Sequence, residues 1–323
     1  MINTDPLRFL NEDEYCTWDN LVDSSPYGSL FCKSWWLKAV SDDIRVLAYF
    51  DKNRLVAGIP LYFKKVAGIT ICTMPKLTQT WGVVIEPLSG KVVNINSREN
   101  AILNIFAEVL SRFKYFVQNF NSYNRNGLPF YWKGFRQTTH YTYILLDLSD
   151  LKSVWAGFRQ NIRTDIRKAE QNEVTVSISS PEIVYQIIEK SFSRQDKIQP
   201  YSKEYFLKIY NAAKSNNAGE CFAAIGSDGA CHAAAIMVWD NRRAYYLAGG
   251  GDPLLRNSGA TSLLIWKMIN IISNKNVIFD FEGSMIESVE RFFRAFGTEQ
   301  TTYNQIYKYP VGIELLFRLL NRI

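Results

Sequence analysis

Residues 260–272, ATSLLIWKMINII, constrain the fold more than any other stretch of the chain. Apolar residues fall on nearly every side of the helix that this run forms, and such a helix has to be covered all round. A layered domain supplies that cover, with the helix laid against a sheet. The surrounding segments read as the sheet and its other helices. Residues 174–179, 221–225, 230–239, 244–248, 277–282 and 301–309 have strand patterns, and 182–192, 203–214 and 286–295 have helical spacing. Gly226-Ser227-Asp228-Gly229 and Asp240-Asn241-Arg242 supply turns. The order after residue 148 is β-α-α-β-β-β-α-β-α-β, an α/β arrangement with a mixed sheet.

The first half repeats part of this plan. Residues 14–22 and 34–40 are helix candidates, and 44–50 and 55–63 flank the turn Asp51-Lys52-Asn53. Residues 99–114 follow as a helix and 115–120 as a strand. The periodicity of 151–170 predicts one long helix with Ser149 as its N-cap. A boundary at 147/148 therefore gives two units, 1–147 and 148–310, in keeping with 323 residues at about 150 per domain. Residues 311–323, with apolar positions and two arginines, predict an amphipathic helix. So short a basic helix holds a membrane only weakly, and packing back on the first unit is the expectation.

Composition narrows the class. Lys plus Arg is 37 against 31 acids, a formal charge of +6, which suits an anionic ligand without requiring nucleic acid. Five cysteines form no Cys-x-x-Cys pair, and only His140 and His232 are present, so no metal site is expected. The opening MINTDPLRFLNEDEY has no basic, then apolar, leader, and no apolar run reaches about 18 residues. The expectation is a reduced, cytoplasmic protein without a transmembrane segment.

Arg256-Asn257-Ser258-Gly259-Ala260-Thr261 follows a strand ending in Ala248-Gly249-Gly250-Gly251 and opens the apolar helix. Small residues let backbone N–H groups approach a phosphate, and the helix N-terminus adds about half a positive charge. An ordinary loop entering a helix reads the same way.

This turn and the order of elements resemble the GNAT acyltransferase fold, in which the turn holds the pyrophosphate of an acyl-CoA. Gly259 matches the glycine of the pattern, and Thr261 stands where Gly or Ala is usual. Phe279-Asp280-Phe281-Glu282-Gly283-Ser284 and the run from Glu290 to Gly297 resemble the FemAB-like branch, which carries two GNAT-like units in one chain. The segment from Asn161 to Ala169 is similar to the helix that opens its second unit. Ser34-Trp35-Trp36-Leu37 and the segment from Met74 to Gly82 fit more loosely. The resemblance implies transfer of an acyl or aminoacyl group to an amine of a cell-envelope precursor, peptide or amino sugar, UDP- or lipid-linked acceptors included. The donor would be acyl-CoA or aminoacyl-tRNA, with no permanently bound cofactor. It also implies an oxyanion held by backbone N–H groups near Leu247 to Gly250, Gly249 among them. One departure stands out. The Lys of the bridge enzymes' F-K-x-x-F-G segment is Phe293 here, with Arg294 beside it.

The chemistry requires a base for the amine proton. Asp280 and Glu282 are the candidates, on one face of their strand, with Glu282 at its end. Arg294 is the candidate for the missing Lys. Arg159, Arg163 and Arg167 share a helix face. They suit a diphosphate or tRNA phosphates, or form a solvated basic face. Arg194, Gln195 and Tyr201 lie in a polar loop that borders the acceptor in this fold, and Lys33 precedes the paired tryptophans. The rival readings are an inactive GNAT-shaped binding module and a tRNA- or RNA-binding protein. Nothing in the sequence points to DNA.

Overall fold

The computed structural model describes residues 6–310 apart from 67 and 284. The helix expected over 311–323 lies outside the described residues. The chain divides into two compact units. Unit 1 comprises residues up to His140 together with those from Thr302 onward, and unit 2 runs from Tyr141 to Thr301.

Unit 1 contains β1 (Leu7–Phe9), α1 (Tyr15–Ser24), α2 (Ser34–Val40), β2 (Ile44–Asp51), β3 (Arg54–Val66), β4 (Ile69–Thr73), β5 (Val84–Ile85), α3 (Val92–Leu110), β6 (Phe116–Phe120) and α4 (Leu128–Trp132). It also holds the first residues of β7 (Arg136–Leu145) and the last of β13 (Glu299–Lys308). The β2–β3 hairpin turns at Lys52 and Asn53, both with positive φ (51° and 63°), the mirror-image turn that suits strand twist. Strands follow the order β1-β2-β3-β4-β6-β13, with β5 on β3. β6 pairs with β13 from Phe120↔Asn304 to Phe116↔Lys308. Phe106, Phe116, Phe120, Phe130 and Phe135 form the centre of its core.

Unit 2 adds α5 (Leu151–Gly157), α6 (Gln160–Gln171), β8 (Thr175–Ile178), α7 (Pro181–Ser193), α8 (Lys203–Ser215), β9 (Gly219–Ile225), β10 (Cys231–Trp239), β11 (Arg243–Gly251), α9 (Ala260–Ile272), β12 (Ile278–Asp280) and α10 (Glu287–Arg294). The end of β7 leads the order β7-β12-β11-β10-β9-β8. The β11–β12 pair is parallel and its neighbours are antiparallel. α9 is buried over most of its surface, with Leu263, Leu264, Ile265, Met268 and Ile269 all sealed from solvent, but Lys267 and Ile271 are exposed, so the helix is not covered all round.

The structure corrects several expectations. The helix over 151–170 is two helices. Phe158 leaves the first to pack edge-on against Trp266 (5.3 Å) and Phe296 (5.1 Å), and the Arg159 N–H donates to Ala295 O at 2.8 Å. The N-cap is Asp150, whose carboxylate accepts from the Lys152 N–H, rather than Ser149. The boundary falls at 140/141, not 147/148, because Ile144 and Leu145 pair with Asp280 and Phe279 inside unit 2. Residues 302–308 return to unit 1 by pairing with β6. The strand expected over 277–282 ends at Asp280, so Asp280 and Glu282 do not share a strand face.

Asp280 is fully buried and satisfied. Arg243 donates to it at 2.8 Å, the Thr142 hydroxyl at 2.5 Å and the Glu282 N–H at 2.7 Å. Removing one member of a buried pair leaves the other charge uncompensated. Asp280→Ala is expected to cost about 3–5 kcal/mol of stability, read as a fall in the urea midpoint.

Candidate active site

β11 carries the first feature of the site. Ile236 of β10 faces Ala248, but the next residue, Met237, faces Tyr246, so Leu247 is an extra residue bulged out of the ladder. β12 pairs with β11 only from Arg243 to Tyr245. Beyond Tyr245, β11 runs on to Gly251 while β12 has ended at Asp280, and the two parallel strands part. A parted pair exposes backbone polar groups that a ligand can satisfy.

The second feature is the entry to α9. Arg256–Ser258 form a single 3-10 turn, and Gly259 follows with φ +80°. No side chain caps α9 at Gly259, and Thr261 and Ser262 of its first turn line a cleft. Gly259 is required twice over, because a Cβ there would strike the Asp165 carbonyl oxygen of α6 and the backbone is left-handed. Ala260 is buried, and its N–H donates to Ser258 Oγ at 3.3 Å. Lys168 Nζ donates to Asn257 O at 2.6 Å and pins the turn to α6. Arg256 is exposed, and its guanidinium has no partner among the described residues.

The cleft has a volume of about 600 Å³. Its walls include the Gly249–Gly251 backbone, Arg256, Gly259 and Thr261 on one side, with Ser191, Arg194, Gln195 and Lys197 from the end of α7 and the loop after it. Tyr246, Phe292 and Phe293 make an aromatic wall, with Phe293 5.2 Å from Phe281 and 5.9 Å from Tyr246. Small residues are needed here too. A Cβ on Gly249 would meet the Tyr246 hydroxyl, and one on Gly250 would press on Ser191 Cβ at 2.9 Å.

Glu282 lies just beyond β12 in a left-handed conformation (φ 58°), an unusual state for a side-chain-bearing residue and one often kept at functional sites. Asp280 accepts its N–H and holds it there. Gly283 follows at φ +60°, pressed against the Tyr141 carbonyl so closely that no Cβ fits. Glu282 Oε1 is buried without a hydrogen-bond partner. Burial first, and the neighbouring Asp280 second, push the Glu282 carboxyl well above the usual carboxylate range. Burial also pushes the Tyr201 hydroxyl up to about 12, with Tyr185 and the Glu282 carboxylate adding to the rise. Tyr246, on the cleft wall, is raised by burial and by Tyr201. Tyr201 thus lies within electrostatic reach of both Glu282 and Tyr246, and Tyr246 borders the cleft.

Other expected site residues stand elsewhere. Asp280 is the structural acceptor described above, fully buried with both oxygens hydrogen-bonded, and so lies out of a substrate's reach. Arg294 donates to Glu290 at 2.8 Å along α10 and is mostly exposed, while Phe293 faces the cleft, so Arg294 does not take the place of the missing Lys. Arg163 bonds Ala156 O and Gln160 within its own neighbourhood, and Arg167 lies over the Trp155 ring at 5.7 Å. Lys33 belongs to unit 1, where it pairs with Asp23 at 2.5 Å and donates to Asp19 O at 3.2 Å. Sequence reading passed over Tyr246, Ser191 and Asp165, all on the cleft. The pattern Tyr245-Tyr246 ahead of three glycines is the signal that could have marked the first of them. Among the described residues no group of His, Cys, Asp and Glu could hold a metal, and no helix is long and apolar enough to cross a membrane.

The raised Glu282 carboxyl sets a sign for stability. Its neutral form is favoured by the fold, so its contribution is fully present below the unfolded carboxylate value and is lost as pH rises toward the folded one. Glu282→Gln is therefore expected to melt above the parent protein at pH 8, with the gap closing below about pH 4.5. Thermal melts across pH read this directly.

Residues 156–284 match the family model of the GNAT acetyltransferase domain. No curated protein matches the sequence. Among solved structures, FemX is similar over 97% of this chain and 99% of its own, with a TM-score of 0.70 at 15% identity. The C-terminal domain of a putative lysylphosphatidylglycerol synthetase from Agrobacterium fabrum matches over 95% of each chain, with a TM-score of 0.57 and 11% identity. A tandem GNAT protein from the clavulanic acid biosynthesis pathway matches over 93% of this chain and 97% of its own, at 0.54 and 11%. The bulged and parted β11, the glycine entry to α9 and the family match thus converge: residues 156–284 match the GNAT acetyltransferase domain, and the chain has the fold of FemX and of a tandem GNAT protein.

Proposed function

We propose that the protein is an N-acyltransferase that moves an acyl group from acyl-CoA to the amine of a cell-envelope precursor, peptide or amino sugar, using unit 2. The observation that carries this reading is the parting of β11 from β12 beside the bulged Leu247, with the open N-terminus of α9 at the end of the same strand. The donor diphosphate would meet the N–H groups of the α9 entry and the Arg256 guanidinium. The acyl arm would lie between the parted strands along the Gly249–Gly251 backbone, with its apolar part against Phe293 and Tyr246. Such a donor is a cytoplasmic metabolite, which puts the chain in the cytoplasm.

In the reaction the amine nitrogen attacks the thioester carbonyl carbon. A C–N bond forms, and the carbonyl electron pair moves to oxygen, where backbone N–H groups at the Leu247 bulge stabilise it. Glu282, relayed by a water, takes the ammonium proton. In its ionised form, a carboxyl held above its usual range is a stronger base than an ordinary one. Collapse of the intermediate breaks the C–S bond, and the proton held on Glu282 passes back through water to the leaving thiolate, which restores the carboxylate. Arg194, Gln195 and Tyr201 supply polar groups on the acceptor side.

A second donor, aminoacyl-tRNA, is favoured by the FemX-like fold and by the cationic face of α6. Phe293, in place of a lysine, weighs against it.

A thermal-shift series with acyl-CoAs, and another with charged tRNA, separates these readings. A ligand at a hundred times its dissociation constant adds about 2.7 kcal/mol. Stabilisation by acyl-CoA that Arg256→Ala removes is the expected result. Stabilisation by charged tRNA alone moves the donor to the second reading, and silence from both leaves an inactive binding module. With a donor and a panel of amine acceptors, Glu282→Gln is expected to lower kcat about 10²–10⁴-fold with donor KM unchanged.

A further inference from the structure

Unit 1 bears an exposed aromatic wedge that the reading of the cleft does not use. α4 is one helical turn, Leu-Pro-Phe-Tyr-Trp. Phe130 faces inward, fully buried, with its ring 5.1 Å from Phe120 and 5.6 Å from Phe135. Leu128, Tyr131 and Trp132 stand at i, i+3 and i+4 and so share the outer side. They are 55%, 72% and 59% exposed, and Tyr123 in the preceding loop is 47% exposed. The turn is fixed rather than loose. The Leu128 N–H donates to Asn126 Oδ1 at 3.3 Å, Asn126 donates to Asn100 at 2.9 Å, and Lys133 pairs with Glu108 at 2.5 Å. A rigid scaffold that holds large apolar side chains in water marks an interaction surface.

The charge along this stretch of chain points to the partner. Between Glu108 and Asp147 the sequence contains no acidic residue, yet it carries Arg112, Lys114, Arg125, Arg136 and Lys133, the last of them paired with Glu108. Trp and Tyr rings, which are apolar with one polar tip, combined with an aliphatic side chain and flanking cations, suit the headgroup level of a bilayer. A nucleic acid would instead ask for flat ring faces along a groove. Here three side chains, one of them aliphatic, project from a single convex turn.

We propose that α4 and Tyr123 form a peripheral docking surface for an anionic lipid bilayer. Leu128, Tyr131 and Trp132 enter the interface, and Arg125 and Arg136 meet lipid phosphates. So small a wedge with so few cations gives reversible attachment that salt weakens. The proposal rests on unit 1 and does not depend on the donor assigned to unit 2.

The full chain, sedimented with phosphatidylcholine vesicles with and without phosphatidylglycerol, tests it. Binding is expected only with the anionic lipid and is expected to fall with salt. Tyr131→Ser with Trp132→Ser is expected to weaken it about tenfold while the melting temperature holds, as befits exposed positions. A lipid-borne nitroxide should quench less tryptophan fluorescence in Trp132→Phe than in the parent, a readout that survives if the double variant folds poorly. No binding to anionic vesicles, or binding that ignores both variants, overturns the proposal. Binding of tRNA through the same rings without vesicle binding also overturns it, in favour of a nucleic acid. Ring-dependent vesicle binding in a protein that no donor stabilises leaves the docking surface standing while the reading of the cleft falls.

Discussion

A single buried carboxylate, Asp280, organises unit 2. It gathers a hydroxyl from β7, a guanidinium from β11 and the N–H of Glu282. Those three bonds join neighbouring strands at the level where β12 stops. They also force the chain into the left-handed turn that buries Glu282. The charge that would otherwise be costly to bury is compensated by Arg243, so the carboxylate serves as a joint rather than a reagent. Asp280 and Glu282 thereby illustrate how two acids one residue apart come to opposite states. The first has both oxygens hydrogen-bonded, and the second keeps an oxygen without a partner.

The cleft beside this joint is shaped as much by missing side chains as by those present. Gly249, Gly250 and Gly259 each stand where a methyl group would collide with a neighbour. The backbone at these glycines passes close to Tyr246, to α7 and to α6, and its peptide groups carry no side chain to shield them. Parted strands, an uncapped helix and bare backbone are three forms of one property, hydrogen-bonding capacity that the fold leaves unused. That property is well suited to a ligand rich in phosphate and carbonyl oxygens.

Much of unit 2 was legible because its elements carry strong local signals. α9 runs over the residues that its apolar composition marks, and the Lys52-Asn53 turn of unit 1 is where polarity places it. Helix spacing could not reveal the break at Phe158, since the residue that interrupts the helix is itself apolar and in phase. What stops it is a distant aromatic pocket of Trp266 and Phe296. The candidate site was legible as a turn but not as a cleft. Alternation put Asp280 and Glu282 on one strand face and favoured Glu282 only for its place at the strand end, whereas a hydroxyl at Thr142 and a guanidinium at Arg243, far off in sequence, are what separate their roles. Arg294 was attractive by position in the chain, yet its i,i+4 partner Glu290 claims it. Tyr246 was hidden because an alternating strand residue looks the same whether it meets a core or a cavity.

The division of the chain has a consequence for its synthesis. Unit 2 is an uninterrupted segment, whereas unit 1 takes its last strand from residues after Thr301. A ribosome delivers all of unit 2 before it delivers Asn304 to Lys308. Until then β6 keeps an unpaired edge, and unpaired edges invite pairing with other chains. The unit that begins first is therefore completed last, and the inserted unit can fold while its host still waits for its final strand.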